Sequence, residues 1–153
     1  MQSDLLSKKS IKGLLEKALA ARDKAYSLSD PPIRVGAALL GKSGKVYIGC
    51  NIENDVTNLG VCAERVAVFN AISCGEQEFI AIAIVSDQEM MFPPCGACRQ
   101  VLWQFISDPK KDLIVVLGRK DGSYASSQIL KLSELLPLPF SLKSRDLDTI
   151  SSP

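Results

Sequence analysis

Phe79-Ile80-Ala81-Ile82-Ala83-Ile84-Val85-Ser86 is a near-continuous apolar run, bounded by Glu78 on one side and Asp87 on the other. A strand with one wet face alternates apolar and polar residues. A run that does not alternate is a strand buried on both faces, with other elements packed above and below it. This stretch therefore predicts the middle of a layered domain.

Moving outward, the chain supplies those layers. After the run, Pro93-Pro94 closes a loop, and 95–106 reads as a helix. Residues 113–117 form a second short apolar strand. Asp121-Gly122 is a turn leading to a weaker strand around 124–127. A short helical turn over 132–136 is stopped by Pro137 and Pro139. Before the run, 61–74 reads as a helix with Gly75 as its stop signal, preceded by a polar loop at 54–60. Residues 35–40 and 46–52 flank Gly41-Lys42-Ser43-Gly44 and read as a hairpin. Residues 4–27 carry apolar side chains at three- and four-residue spacings and predict an amphipathic helix, with Pro31-Pro32 beyond it. Helices alternating with strands give an α/β layered domain around one sheet, and the initial hairpin makes that sheet mixed. At 153 residues, with no internal linker, the chain is expected to be one domain over 1–153.

Composition narrows the function. A formal net charge of +1 argues against a protein that grips nucleic acid by bulk charge. Lys8-Lys9 and Lys110-Lys111 are short and read as solvated surface. No secretory leader or membrane-length apolar run is visible, so the expectation is a cytoplasmic protein with no membrane partner. Five cysteines then suggest metal binding or buried thiols more than disulfides. The chain contains no histidine, which removes Ser-His-Asp triads, Cys-His dyads and His-based metal sites together.

Two stretches carry chemistry: Cys62-Ala63-Glu64 and Pro93-Pro94-Cys95-Gly96-Ala97-Cys98. Each is expected at the start of a helix, where unpaired N–H groups and the helix dipole acidify a thiol and favour the thiolate that binds metal. Cys62, Cys95 and Cys98 would give zinc three protein ligands and leave a fourth position for water, the pattern of a catalytic site. Zinc lowers the pKa of such a water toward about 7. Three thiolates oppose that acidification, and Arg65 and Arg99 are the sequence-adjacent candidates to offset them through bonds to sulfur. Glu64 is the candidate proton shuttle. Blander readings are a redox pair at Cys95 and Cys98, which leaves Cys-Ala-Glu unexplained, and a structural zinc knot closed by Cys50 or Cys74. Those two cysteines read better as buried small hydrophobes.

The combination is similar to the zinc deaminases, whose signature pairs His/Cys-x-Glu with Pro-Cys-x-x-Cys. Val35-Gly36-Ala37-Ala38-Leu39, Gly49-Cys50-Asn51-Ile52-Glu53-Asn54, Cys62-Ala63-Glu64-Arg65, Pro94-Cys95-Gly96-Ala97-Cys98-Arg99-Gln100 and Glu134-Leu135-Leu136-Pro137 resemble the short, single-domain cytidine deaminases of the three-cysteine type. The resemblance implies a three-layer α/β/α sandwich with a five-stranded mixed sheet and one Zn2+ per subunit. It also implies a homotetramer with shared active sites and hydrolytic deamination of cytidine and deoxycytidine in pyrimidine salvage. It assigns Asn51 and Glu53 to the ribose hydroxyls, the Ala63 backbone to the pyrimidine, and Phe140 to closing over the ligand from another subunit. Ile33 stands where the family has Phe, and can pack on the base without aromatic stacking. Thr57 stands where an aromatic often lines the pocket. The alternatives are deamination of another small base or nucleoside analogue, or a zinc-binding protein without catalysis.

Overall fold

The computed structural model describes residues 6–106 and 111–142. In order, the elements are α1 (Lys8–Arg22), β1 (Val35–Gly41), β2 (Val46–Cys50), α2 (Ala63–Ser73), β3 (Phe79–Ser86), α3 (Gly96–Gln104), β4 (Ile114–Gly118), β5 (Gln128–Lys131) and α4 (Leu132–Leu135). One five-stranded sheet runs β2-β1-β3-β4-β5. β3 and β4 are parallel, and the other neighbouring pairs are antiparallel. The mixed sheet expected from the sequence is present.

β3 lies at the centre, and its residues divide between two cores as the pleat requires. Ile82 and Ile84 join Ala37, Leu39, Val115 and Leu117 under Ala67 and Val68 of α2 and Leu102 and Trp103 of α3. Ala81, Ala83 and Val85 join Ala38 and Val116 under Leu14, Leu15 and Ala18 of α1. The result is a three-layer α/β/α sandwich. Each fully buried Ile or Leu contributes roughly 1.5–3 kcal/mol, so both faces of β3 hold the layers together.

Two glycines set how closely helices approach the sheet. A Cβ on Gly36 would lie 2.0 Å from Ala18 O, so α1 rests on the β1 backbone there. A Cβ on Gly49 would lie 2.4 Å from both Ala63 O and Ala67 N, so the first turns of α2 rest on β2 in the same way.

The differences from the sequence reading are local. Ser7 caps α1 by accepting from Ser10 N–H at 3.2 Å, so the helix starts at Lys8; position 4 lies outside the described residues. The helix ends at Arg22 because Tyr26 has joined the sheet margin: its N–H donates to Asn51 O and its carbonyl accepts from Glu53 N–H. Residues Tyr124–Ser126 form a 3-10 turn, and the last strand is Gln128–Lys131. The strand expected at 124–127 is therefore displaced downstream. Ser127 N–H bonds back to Tyr124 O, which closes a turn where the strand was expected. Among the described residues, no helix is long and apolar enough to cross a membrane.

Candidate metal centre

The chain after β2 is folded back on itself by one pair of residues. Ile52 N–H donates to Val61 O and Val61 N–H to Ile52 O, each at 2.9 Å. This pinch closes the 53–60 loop and delivers Cys62 to the head of α2, across from Asn51 in the same antiparallel register. Cys62 is the N-cap of α2 and Cys95 the N-cap of α3. Both have extended backbone, and neither side chain caps its own helix. Both sulfurs are thus left for another partner at a positive helix end. Cys98 follows within the first turn of α3 and is buried.

The three Sγ atoms lie within 4.8 Å of one another, with Cys62–Cys95 at 3.9 Å and Cys95–Cys98 at 3.5 Å. Tetrahedral zinc with Zn–S bonds of about 2.3 Å places its sulfurs about 3.8 Å apart. The donor set and spacing fit that ion. Cys50 and Cys74 stand outside the cluster, and among the described residues no other group of three such donors occurs. No fourth cysteine closes the site, so the structural knot is not formed. Cys74 is exposed and Cys50 half-buried, which corrects the expectation that both are buried.

The electrostatics favour a cation. Cys62 is pulled down to about 5, first by a hydrogen bond from Cys98, then by bonds from Arg65 and Cys95 that outweigh the cost of burial. Cys98 is pushed up because it holds its proton toward Cys62 and is buried. The cluster therefore carries a thiolate at neutral pH and shares it. Arg65 Nη2 donates to Cys62 Sγ at 3.7 Å, while its Nε is buried with no hydrogen-bond partner. Glu64 is 5% exposed. Burial, and after it the charge on Cys62, push its carboxyl up to about 7.

Arg65 takes the sulfur-bonding place expected of it. Arg99 does not: its Nε donates to Pro94 O and its Nη1 to Leu135 O, each at 2.7 Å. It braces the Cys95 loop against α4, and the expected bond to sulfur is corrected accordingly. Ala63 is fully buried at the first position of α2. Asn51 and Ile33 are brought together, with Asn51 Nδ2 donating to Ile33 O at 3.0 Å and Asn51 Oδ1 accepting from Val35 N–H at 2.7 Å. Ile33 is 37% exposed, and Thr57 is exposed in a 3-10 turn. Phe140 is 69% exposed, and its main chain is held by Gln100 of α3. The Gln100 contact, spanning 40 residues, and the serines that tie down Glu53 have no signature in the linear sequence.

Residues 8–114 match the family described as the cytidine and deoxycytidylate deaminase zinc-binding region. The chain belongs to that family. It is 44% identical over 127 residues to the cytidine deaminase of Halalkalibacterium halodurans, covering 83% of this chain and 91% of that one. The crystal structure of cytidine deaminase from Burkholderia pseudomallei superposes with a TM-score of 0.73 at 41% identity, covering 84% of this chain and 97% of that one. The blasticidin-S deaminase of Bacillus cereus is 32% identical over 135 residues, covering 82% and 91%. The three-cysteine cluster thus sits within the zinc-binding region of this deaminase family and is consistent with one Zn2+.

Proposed function

We propose that the protein hydrolyses the exocyclic amine of cytidine and deoxycytidine, giving uridine or deoxyuridine and ammonia. The observation that carries this reading is the set of three sulfurs at tetrahedral spacing beside a buried, protonatable Glu64. Zinc held by Cys62, Cys95 and Cys98 would supply a water acidified enough to act at neutral pH. Glu64 takes one proton from the attacking water and gives it to ring N3 as the C4–O bond forms. It then takes the second proton from the new C4 hydroxyl and gives it to the amine, which leaves as ammonia when the C4–N bond breaks. A carboxyl poised near 7 can hold and yield a proton at the working pH. Arg65 offsets thiolate charge at Cys62, and Arg99 fixes the Cys95 loop.

The nucleoside lies against the Ala63 backbone, with Ile33 packing on the base. Asn51 keeps one acceptor lone pair and one N–H beyond its bonds to Val35 and Ile33, enough to meet a sugar hydroxyl. Glu53 lies beside it on the same segment. Leu138, Phe140 and Leu142 are large apolar residues left exposed close together along the chain. This supports a homotetramer in which Phe140 closes over a neighbouring subunit's ligand. The protein acts as a single domain in the cytoplasm, in pyrimidine salvage, on small molecules and not on nucleic acid or membranes.

The blasticidin-S deaminase similarity favours one second reading, deamination of another amine-bearing nucleoside analogue. The test is ammonia release from cytidine, deoxycytidine, cytosine, adenosine and blasticidin S by zinc-loaded protein. Turnover of the first two supports the proposal, and turnover of blasticidin S alone supports the second reading. Turnover of none overturns both. Glu64→Gln should retain zinc and lose about 10²–10⁴-fold in rate; retained turnover would remove Glu64 from its role.

A further inference from the structure

Arg99 and Gln100 are neighbours on α3, and each holds the end of the chain beyond β5 at a different point. Arg99 Nη1 donates to Leu135 O at 2.7 Å, and Gln100 bonds both main-chain groups of Phe140. Between these anchors lie Leu136-Pro137-Leu138-Pro139. Proline fixes its own φ and restricts the residue before it, so the link from Leu135 to Phe140 is stiff. Leu135 is also tied to the sheet. It ends α4, whose first residue, Leu132, is buried and donates its N–H to Leu113 O at 2.9 Å.

The same guanidinium faces the metal centre. Arg99 Nε donates at 2.7 Å to Pro94 O, the carbonyl immediately before Cys95. A guanidinium is planar and rigid, so its donors keep a fixed spacing. One group therefore sets the Cys95 loop against the end of α4. The last carbonyls of a helix have no partner within it, and Arg99 supplies one to Leu135. Arg65 reaches the sulfur of Cys62 directly, whereas Arg99 holds the main chain from which the sulfur of Cys95 hangs.

We propose that Arg99 is a positioning residue that couples the metal centre to the 135–140 segment. Zinc held by Cys95 steadies the Pro94 carbonyl, Arg99 passes that restraint to Leu135, and the two prolines pass it on to Phe140. This rests on the zinc-deaminase reading above. Coupling between two sites is reciprocal, so the seated segment in turn tightens zinc binding. Outer partners of metal ligands are worth about 10–100-fold in metal affinity, and Arg99 acts in that way by fixing the loop that carries a ligand. In the assembly proposed above, removing zinc from one subunit then loosens the Phe140 that its neighbour's ligand meets.

Amide hydrogen exchange with and without zinc tests this at Leu136, whose N–H donates to Leu132 O at 2.9 Å, and at Phe140. Competition with a chelator measures zinc affinity on the same samples. In the unaltered protein zinc should slow exchange at both amides by about fivefold or more. Arg99→Ala should bind zinc about 10–100-fold more weakly and show no zinc effect at either amide. Arg99→Lys, which keeps a cationic donor, should regain part of both. Pro137→Gly/Pro139→Gly leaves both Arg99 bonds in place, so it should keep the zinc effect at Leu136 and lose it at Phe140. Should Arg99→Ala fail to fold, the lysine and glycine variants decide the same question. The coupling is overturned by unchanged exchange in the zinc-bound unaltered protein, by unchanged zinc affinity in Arg99→Ala, or by a zinc effect at Phe140 that survives either Arg99→Ala or the glycine variant. If the unaltered protein binds no zinc at all, the zinc-deaminase reading itself fails, and the coupling with it.

Discussion

Gln100 holds the main chain of Phe140 from both sides: its Nε2 donates to Phe140 O at 2.8 Å, and its Oε1 accepts from Phe140 N–H at 3.1 Å. The amide thus does for residue 140 what a neighbouring strand would do, and it does so from the helix that carries Cys98. Gln100→Ala removes both bonds. At about 0.5–1.5 kcal/mol net each, it should lower unfolding free energy by about 1–2 kcal/mol. With Phe140 no longer fixed, KM should rise several-fold while kcat and zinc content hold. Steady-state kinetics beside a denaturant titration check this, and a fall in kcat with unchanged KM would contradict it.

Glu64 makes the metal-free protein sensitive to pH in a direction unusual for a carboxylate. Its folded pKa, about 7, lies above the ordinary 4.5 because burial disfavours the charge. The unfolded chain therefore releases this proton first, and stability contributed by the neutral acid declines as pH rises from about 4.5 to about 7. Glu64→Gln abolishes the term. The stability difference, variant minus unaltered protein, should grow across that window and level off above it. Urea unfolding of both metal-free proteins at several pH values measures this.

Arg65 places its guanidinium on Cys62 Sγ at 3.7 Å. Arg65→Gln should keep zinc bound but leave the thiolate charge uncompensated. A loss of about 10–100-fold in activity is expected, with the pH–rate profile displaced to higher pH. Metal analysis and ammonia release over a pH series separate this from simple metal loss.

Chelation should expose the acidic thiol. With its pKa near 5, Cys62 is thiolate at pH 6 in the metal-free protein. Iodoacetamide at pH 6 followed by mass spectrometry should modify Cys62 after chelation and spare it in zinc-loaded protein. The exposed Cys74 provides an internal reference in both. Equal labelling of Cys62 with and without zinc would show that it is not a ligand.

The parts of this molecule that the sequence makes legible are those governed by neighbours along the chain. β3 coincides with the apolar run at 79–86 because burial on both faces leaves its mark on every residue. Cys62 falls at a helix start because the helix formers Ala63 and Glu64 follow it at once, and Cys95 because Pro93-Pro94 bars a helix before it. β5 leaves a fainter mark because it is an edge strand: Gln128, Ile129 and Lys131 are exposed, so little burial pattern is written into it. Arg99 illustrates a different limit. Adjacency to Cys98 along a helix means a turn of about 100° around its axis, and the side chain reaches the Leu135 carbonyl on another face. The anchoring of Glu53 by Ser27 and Ser29, and of Phe140 by Gln100, depends on loops meeting in space, for which the linear order offers no period.

The absence of a side chain at Gly49 bears on how such chains should be recognised elsewhere. No methyl group fits between β2 and the first turns of α2, so the depth at which that helix sits is set by a residue well before the first sulfur ligand. A chain bearing Cys-Ala-Glu and Pro-Cys-x-x-Cys but a larger residue at this place would have to lift α2, and with it one corner of the sulfur triangle. The glycine is therefore part of the signature, and searches that score the ligands alone would admit proteins unable to assemble the centre.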